Sequence, residues 1–278
     1  MTVHILVQCS KSKSVEPSQS LIWDNEMDHE LWNKNWTSSS NRIEVHHLYT
    51  GRAIKNEREL ISSQVDFNGY VISAGAGLVA FDDTIPSYEA TFFADDGPDY
   101  QNWSTLPNGG LKNLQINDDD VIVTFAAPIY HRALLADPEF DRLASNFIVA
   151  HTSPLAKHPN VKTVQIHPRT AEYLGVAFVD LNARLLQIFV EHGIKGFDDV
   201  FVACQNLQPM IERRPVTDEE LFVIIESLES ISSVSKVVRH LRHELGVKAS
   251  QERIREVVFK IRERVSSVSE DGVSKFLK

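Results

Sequence analysis

Three short runs place reactive side chains directly after apolar segments. The first is Gln8-Cys9-Ser10-Lys11-Ser12-Lys13. Its small residues expose backbone amides and its lysines supply positive charge, which suits a phosphate or a sugar-phosphate backbone. It lacks the glycines of a Walker loop. Cys9 reads either as a nucleophile or as a partly buried structural thiol, and the sequence shows no activating partner for it. The second run is Ser73-Ala74-Gly75-Ala76-Gly77-Leu78-Val79, followed by Asp82, Asp83 and Tyr88. Small residues let a backbone approach a ligand closely. A carboxylate can orient water or balance positive charge on a sugar, and a tyrosine can stack on a base or bond to it. A glycine turn leading to an acidic surface loop fits the same run. The third is His151-Thr152-Ser153-Pro154-Leu155. Its histidine can act as an acid or donate to an anionic leaving base, or it is a satisfied loop residue. Pro128, Tyr130, His131 and Arg132 would line the same mouth.

Such loops need a frame. His4–Gln8, Tyr70–Ser73, Val121–Ala126, Phe147–Ala150 and Thr163–Ile166 are short and apolar on both faces, as buried parallel strands are. Helical patterns cover Arg52–Ser62 and Ala171–His192, the latter with Leu181, Leu185, Ile188 and Phe189 as an apolar stripe. The expected fold is α/β, three layers (α/β/α) around a mainly parallel sheet, followed by a small all-α helix-turn-helix domain. In such sheets, ligands sit in loops at the carboxyl ends of strands. The stretch Ser18–Ser40, with Trp23, Trp32 and Trp36, reads as an insertion or lid; a loop whose tryptophans pack on the core is the plainer alternative.

Composition narrows the classes. At 278 residues the chain is long enough for one medium domain and a small one: 1–210 as catalytic domain, 216–268 as helical domain and 269–278 as tail. No apolar run is long enough to span a membrane, and Met1–Val7 reads as a first strand rather than a signal peptide. Two cysteines make no disulfide framework, so a cytoplasmic setting is expected. No metal-ligand spacing or dinucleotide fingerprint occurs, and no cofactor is expected.

Charge is uneven. Lys236 to Arg264 holds nine Lys/Arg and four Glu, a balance of +5, which leaves −15 on the rest of a chain whose total is −10. Thr217-Asp218-Glu219-Glu220 is a capping box before a helix with Leu221, Ile224, Ile225 and Leu228 inside. A second helix over Val234–Leu245 stops at Gly246, and Ser250 caps a third. Three helices with a glycine turn fit a helix-turn-helix; a solvated bundle or dimerisation tail is the alternative. Arg239, Arg242, Lys248, Arg253 and Arg255 would contact the backbone of double-stranded DNA, together with Lys11, Lys13 and Arg52 of the first domain.

As a set, Cys9-Ser10-Lys11-Ser12-Lys13, Leu48-Tyr49-Thr50-Gly51-Arg52, and Ser73-Ala74-x-x-Gly77-Leu78-Val79 with Asp83, Ile85-Pro86-x-Tyr88 and Thr91 resemble the DUF6884/YaaA-like family. They are also similar to the core of archaeosine synthases, both groups being related in fold to uracil-DNA glycosylases. His151-Thr152-Ser153-Pro154-Leu155 is similar to the late H-P-S-P-L motif of those glycosylases, with Thr in place of the first Pro. Their water-activating G-Q-D-P-Y-H loop is absent. The resemblance implies a DNA glycosylase, of the phage-defence kind that removes hypermodified cytosines such as glucosylated hydroxymethylcytosine. Asp82 or Asp83 would then act with His151. Cys9, Ser10, Tyr49, Ser73, Gly75, Gly77, Tyr88 and Tyr130 would hold the flipped base. No lysine stands out as a Schiff-base nucleophile, so a monofunctional enzyme is expected. A non-catalytic DNA-binding stress protein and a base-exchange or tRNA-modifying enzyme are the alternatives.

Overall fold

The computed structural model describes residues 1–207, 214–228, 234–250 and 252–261, and within them the side chains of all but residues 179, 235, 239, 242 and 243. The chain divides into two compact units, Met1–Leu207 and Gln208–Lys278.

The first unit is built on a six-stranded sheet. Its strands are β1 (Val3–Gln8), β3 (Phe67–Ser73), β4 (Gly77–Ala80), β6 (Val121–Thr124), β7 (Phe147–Ala150) and β8 (Lys162–Val164). They lie in the order β4-β3-β1-β6-β7-β8, and every neighbour pair is parallel except β3 with β4. A separate antiparallel ribbon pairs β2 (Arg42–Glu44) with β5 (Thr84–Pro86). The helices are α1 (His29–Ser38), α2 (Val45–Leu48), α3 (Arg52–Ser62), α4 (Pro128–Leu135), α5 (Phe140–Leu143), α6 (Thr170–Tyr173), α7 (Leu181–His192) and α8 (Lys195–Gln205). The result is an α/β unit whose helices flank a mostly parallel sheet, compatible with three layers. Among the described residues no helix is long and apolar enough to cross a membrane.

Physical causes are visible element by element. Residues Val3 to Val7 of β1 are buried, including His4, as a central strand covered on both faces requires. Asp28 caps α1 by accepting from Leu31 N–H at 2.8 Å. Gly175, at φ +66°, breaks the expected helix over Ala171–His192 into α6 and α7. The Ser18–Ser40 stretch is no lid: Trp32 and Trp36 on α1 are core residues, and Trp32 Nε1–H donates to Gly75 O at 2.7 Å. The tryptophans need burial, and a carbonyl partner satisfies one indole N–H there.

Strand β4 is the main departure from the expected fold. The small-residue run makes a tight turn, and the chain returns antiparallel along β3, pairing Ser73 with Gly77 and Tyr70 with Ala80. Gly77 lies at φ +92°, and a Cβ there would meet Gly109 O at 2.2 Å. Only glycine fits both conditions.

The second unit contains α9 (Asp218–Glu226), α10 (Val234–His243), a helix over residues 252–261, and a two-residue parallel pairing of β9 (Arg214–Pro215) with β10 (Val247–Lys248). The capping box is formed: Glu220 N–H donates to Thr217 Oγ1 at 3.2 Å, and Thr217 N–H donates to Glu220 Oε2 at 3.1 Å. Leu221, Ile225, Val237, Leu241, Ile254 and Val258 form a core of their own. Residues 208–213, near the expected junction of the two domains, and the tail 269–278 lie outside the described residues.

One buried acid leaves a testable mark on stability. Glu57 on α3 is buried among apolar residues, and burial raises its carboxyl to about 8. The unfolded chain ionises near the ordinary value while the folded one stays neutral, so stability is lost as pH rises from about 4.5 to about 8. Glu57→Gln should raise the melting temperature at pH 8, by on the order of 2–3 kcal/mol of stability, with no gain at pH 4. Thermal melts of both proteins across that range check it.

Candidate functional site

Strand order reverses between β1 and β6: the chain leaves β1 to build β3 on one side and later returns to place β6 on the other. The carboxyl ends of strands at such a reversal form a crevice. Here the crevice is closed at its base by Gln8, whose Oε1 accepts from Ala127 N–H at 2.7 Å just before α4. Tyr130 sits on the first turn of α4 and brings its hydroxyl to 3.3 Å from Cys9 Sγ. Cys9 N–H donates to Ile72 O at 3.1 Å, which ties the loop after β1 to β3.

The loop after β1 is clamped along its length. Lys13 and Tyr49 form an antiparallel bridge, with Ser14 N–H donating to Leu48 O at 2.8 Å and Thr50 N–H to Ser12 O at 3.0 Å. This clamp aims the Lys13 side chain inward. Its Nζ lies 4.4 Å from the centre of the Tyr88 ring and 5.8 Å from that of Tyr49. A cavity of about 250 Å³ is lined there by Lys11, Lys13, Glu16, Tyr88 and Glu89, among others.

Behind Lys13 runs a chain of buried hydroxyls. Tyr49 Oη lies 2.7 Å from Tyr88 Oη, which lies 2.5 Å from Ser73 Oγ. Ser73 Oγ also accepts from Ala76 N–H at 2.8 Å, and Ser73 O accepts from Trp103 Nε1–H at 3.0 Å. Burial drives the phenols of Tyr49, Tyr88 and Tyr130 well up, and the nearby Cys9 adds to each. Burial lowers the ammonium of Lys13, opposed by Cys9 and Glu89.

Several expected site residues lie elsewhere. Asp82 and Asp83 follow β4, whose carboxyl end lies at the amino end of β3 because the two run antiparallel. They therefore stand at the rim opposite Cys9 and Ser73. Both are exposed, and Asp83 caps its own turn by accepting from Ala80 N–H at 2.7 Å. They are not the carboxylates of this crevice. Gly75 leaves room for protein rather than ligand: a Cβ there would meet the Tyr88 ring at 2.5 Å. Gly75, Ala76 and Gly77 are all buried, and Tyr49 is enclosed. Arg52 is committed to Asp180 through two bonds of 2.9 and 2.8 Å.

Others share the rim but keep local jobs. His151 stands at the end of β7, with Nδ1 accepting from Ile166 N–H at 3.1 Å. His131 is buried between Ser153 Oγ at 2.8 Å and Thr124 Oγ1 at 3.3 Å, and burial pushes its imidazole down to about 4. Ser10 accepts from Ser12 N–H at 3.2 Å, and Lys11 is exposed, 3.6 Å from Glu89.

Three residues that the sequence did not single out belong to this region. Glu89 faces the cavity beside Lys11. Phe92 and Phe93 set their rings edge-on to Tyr130, at 5.4 and 6.1 Å, and Phe93 is 68% exposed. An exposed aromatic beside a crevice was the one signal that could have found the last two.

In the second unit, Lys248, Arg255 and Lys260 are exposed. Arg253 is not free for DNA: its Nε donates to Asp218 at 2.9 Å and its Nη2 to Val216 O at 3.1 Å, joining the last helix to the start of α9. The side chains of Arg239 and Arg242, and residues Arg262 and Arg264, lie outside those described.

Among the described residues no three His, Cys, Asp or Glu side chains converge as a metal set. Tyr88→Phe removes the middle of the buried hydroxyl chain and strands Tyr49 Oη. A loss of roughly 1–3 kcal/mol is expected, read as a lower denaturant midpoint with an unchanged slope. Comparison of the chain with protein-family models, with curated proteins and with solved structures finds no match.

Proposed function

We propose that this chain is a DNA glycosylase: a first unit of the uracil-DNA-glycosylase-like fold breaks the N-glycosidic bond of a flipped, modified nucleotide, and a helix-turn-helix unit grips the duplex. The observation that carries the reading is the cavity beside the loop after β1, lined by Lys11, Lys13, Glu16, Tyr88 and Glu89, with the Lys13 amine turned over the Tyr88 ring.

Cleaving the C1′–N bond builds positive charge on the deoxyribose and negative charge on the base. Fixed groups aimed at those charges lower the barrier. Glu89 balances the sugar, in place of Asp82 and Asp83. The Tyr130 hydroxyl and the Cys9 thiol stand at the crevice floor as donors to the departing base. Phe93 offers a stacking face at the entrance. Lys11 is placed to meet a flanking phosphate. The resemblance of such a core joined to a helix-turn-helix to phage-defence glycosylases supports hypermodified cytosine as the substrate class, with defence against phage DNA as the setting.

For the second unit, α10 and the helix over 252–261 are joined by a turn containing Gly246 at φ +60°, which fits a helix-turn-helix. Lys248, Arg255 and Lys260 would make its phosphate contacts.

The full chain should be incubated with genomic DNAs bearing different cytosine and thymine modifications, and abasic sites and released bases measured by mass spectrometry. One modified DNA should lose its base. Glu89→Gln and Tyr130→Phe should slow release by roughly 10²-fold or more, whereas Asp82→Asn and Asp83→Asn should retain activity. Tight DNA binding with no base released from any of them would return the chain to a non-catalytic binding role. Replacing Arg255 and Lys260 by Ala should weaken binding to all sequences alike and flatten its salt dependence by roughly 1–2 in the log–log slope.

A further inference from the structure

We infer that Lys13 is the nucleophile of this site, attacking C1′ of the flipped nucleotide through Nζ and forming a Schiff base with the sugar. The inference rests on the glycosylase reading and assigns its attacking group, which the sequence alone had left to water.

The placement is specific. A lysine that grips phosphate keeps its ammonium in solvent, as Lys11 does. Lys13 instead turns inward to the cavity wall, over Tyr88. Its backbone is pinned by the bridge to Tyr49, so the amine is held rather than swinging on a free loop. Among the described residues no carboxylate comes within ion-pair distance of Nζ; the nearby Glu89 pairs with Lys11. Nζ donates to the carbonyl of Ser10 at 3.5 Å. Burial lowers the ammonium of Lys13, with Lys11 acting the same way and Cys9 and Glu89 opposing. A protonated ammonium would repel a developing oxocarbenium ion, whereas a neutral amine captures it.

The step balances without any further reagent. Nζ bonds to C1′ as the C1′–N bond breaks, and the electron pair leaves on the base. The proton that Nζ sheds passes to water, and the departing base takes one from solvent. O4′ then leaves C1′ and takes a proton from solvent, which gives a protonated imine between Lys13 and the opened sugar. Water on that imine returns the amine and an abasic aldehyde. Loss of a C2′ proton instead expels the 3′ phosphate and nicks the strand.

The test uses the full chain and a duplex with one preformed abasic site, so that it does not depend on knowing the base. Sodium cyanoborohydride reduces an imine to a stable amine, and the covalent complex is resolved by denaturing gel and mapped by peptide mass spectrometry. The expected result is an adduct on Lys13 that disappears in Lys13→Arg, while that variant still binds the duplex. An adduct that persists in Lys13→Arg, or that maps to Lys11, overturns the assignment. Base release from modified DNA without any trapped adduct overturns it too, and leaves the glycosylase reading standing with water as the nucleophile. Neither adduct nor base release removes both.

Discussion

The buried chain of hydroxyls from Ser73 through Tyr88 to Tyr49 is the constraint on which the rest of the site depends. Three polar groups inside an apolar core must satisfy one another, since each left alone would cost roughly 1–3 kcal/mol. Their mutual bonding fixes three distant parts of the sequence: the end of β3, the segment after β5, and the turn before α3. The same geometry then reaches the loop after β1, because Tyr49 is also the backbone partner of Lys13. A surface lysine is ordinarily a mobile charge. Here the amine is given a position by the buried groups behind it.

That arrangement decides the electrostatic character of the crevice. Phenols pushed up by burial remain neutral donors at any ordinary pH, so they supply polarity without net charge. The chain carries −10 in total, and a strongly cationic pocket would be needed to draw phosphate to its first unit by charge alone. The crevice is not of that kind, with Lys11 paired to Glu89 and Arg52 to Asp180. The concentrated positive charge of the chain lies instead between Lys236 and Arg264, with nine Lys/Arg against four Glu.

What the sequence made legible follows from which signals are local. Hydrophobic runs over His4–Gln8 and Phe147–Ala150 identified central strands because a strand buried on both faces has no other composition. The capping box at Thr217 and Glu220 was readable because its geometry closes within four residues. Strand β4 was not readable, since Ala74–Tyr88 contains the signals of a turn and its two strands are only four and three residues long. That single omission moved Asp82 and Asp83 to the wrong rim: a loop and a hairpin have the same composition but end on opposite sides of the sheet. Glycine misled in a related way. Gly75 is small because the Tyr88 ring lies against it, a long-range fact that no window of sequence contains.

The misplaced carboxylates bear on chemistry as well as topology. Two ionised aspartates beside the sugar would have made water the natural nucleophile, with positive charge on C1′ balanced from both sides. On the proposed reading Glu89 cannot do as much, because Lys11 already holds it at 3.6 Å and weakens its field. The barrier is lowered further only by a group that removes the positive charge on C1′ by bonding to it. On the glycosylase reading proposed above, the inward amine of Lys13, placed by its bridge to Tyr49, would be such a group.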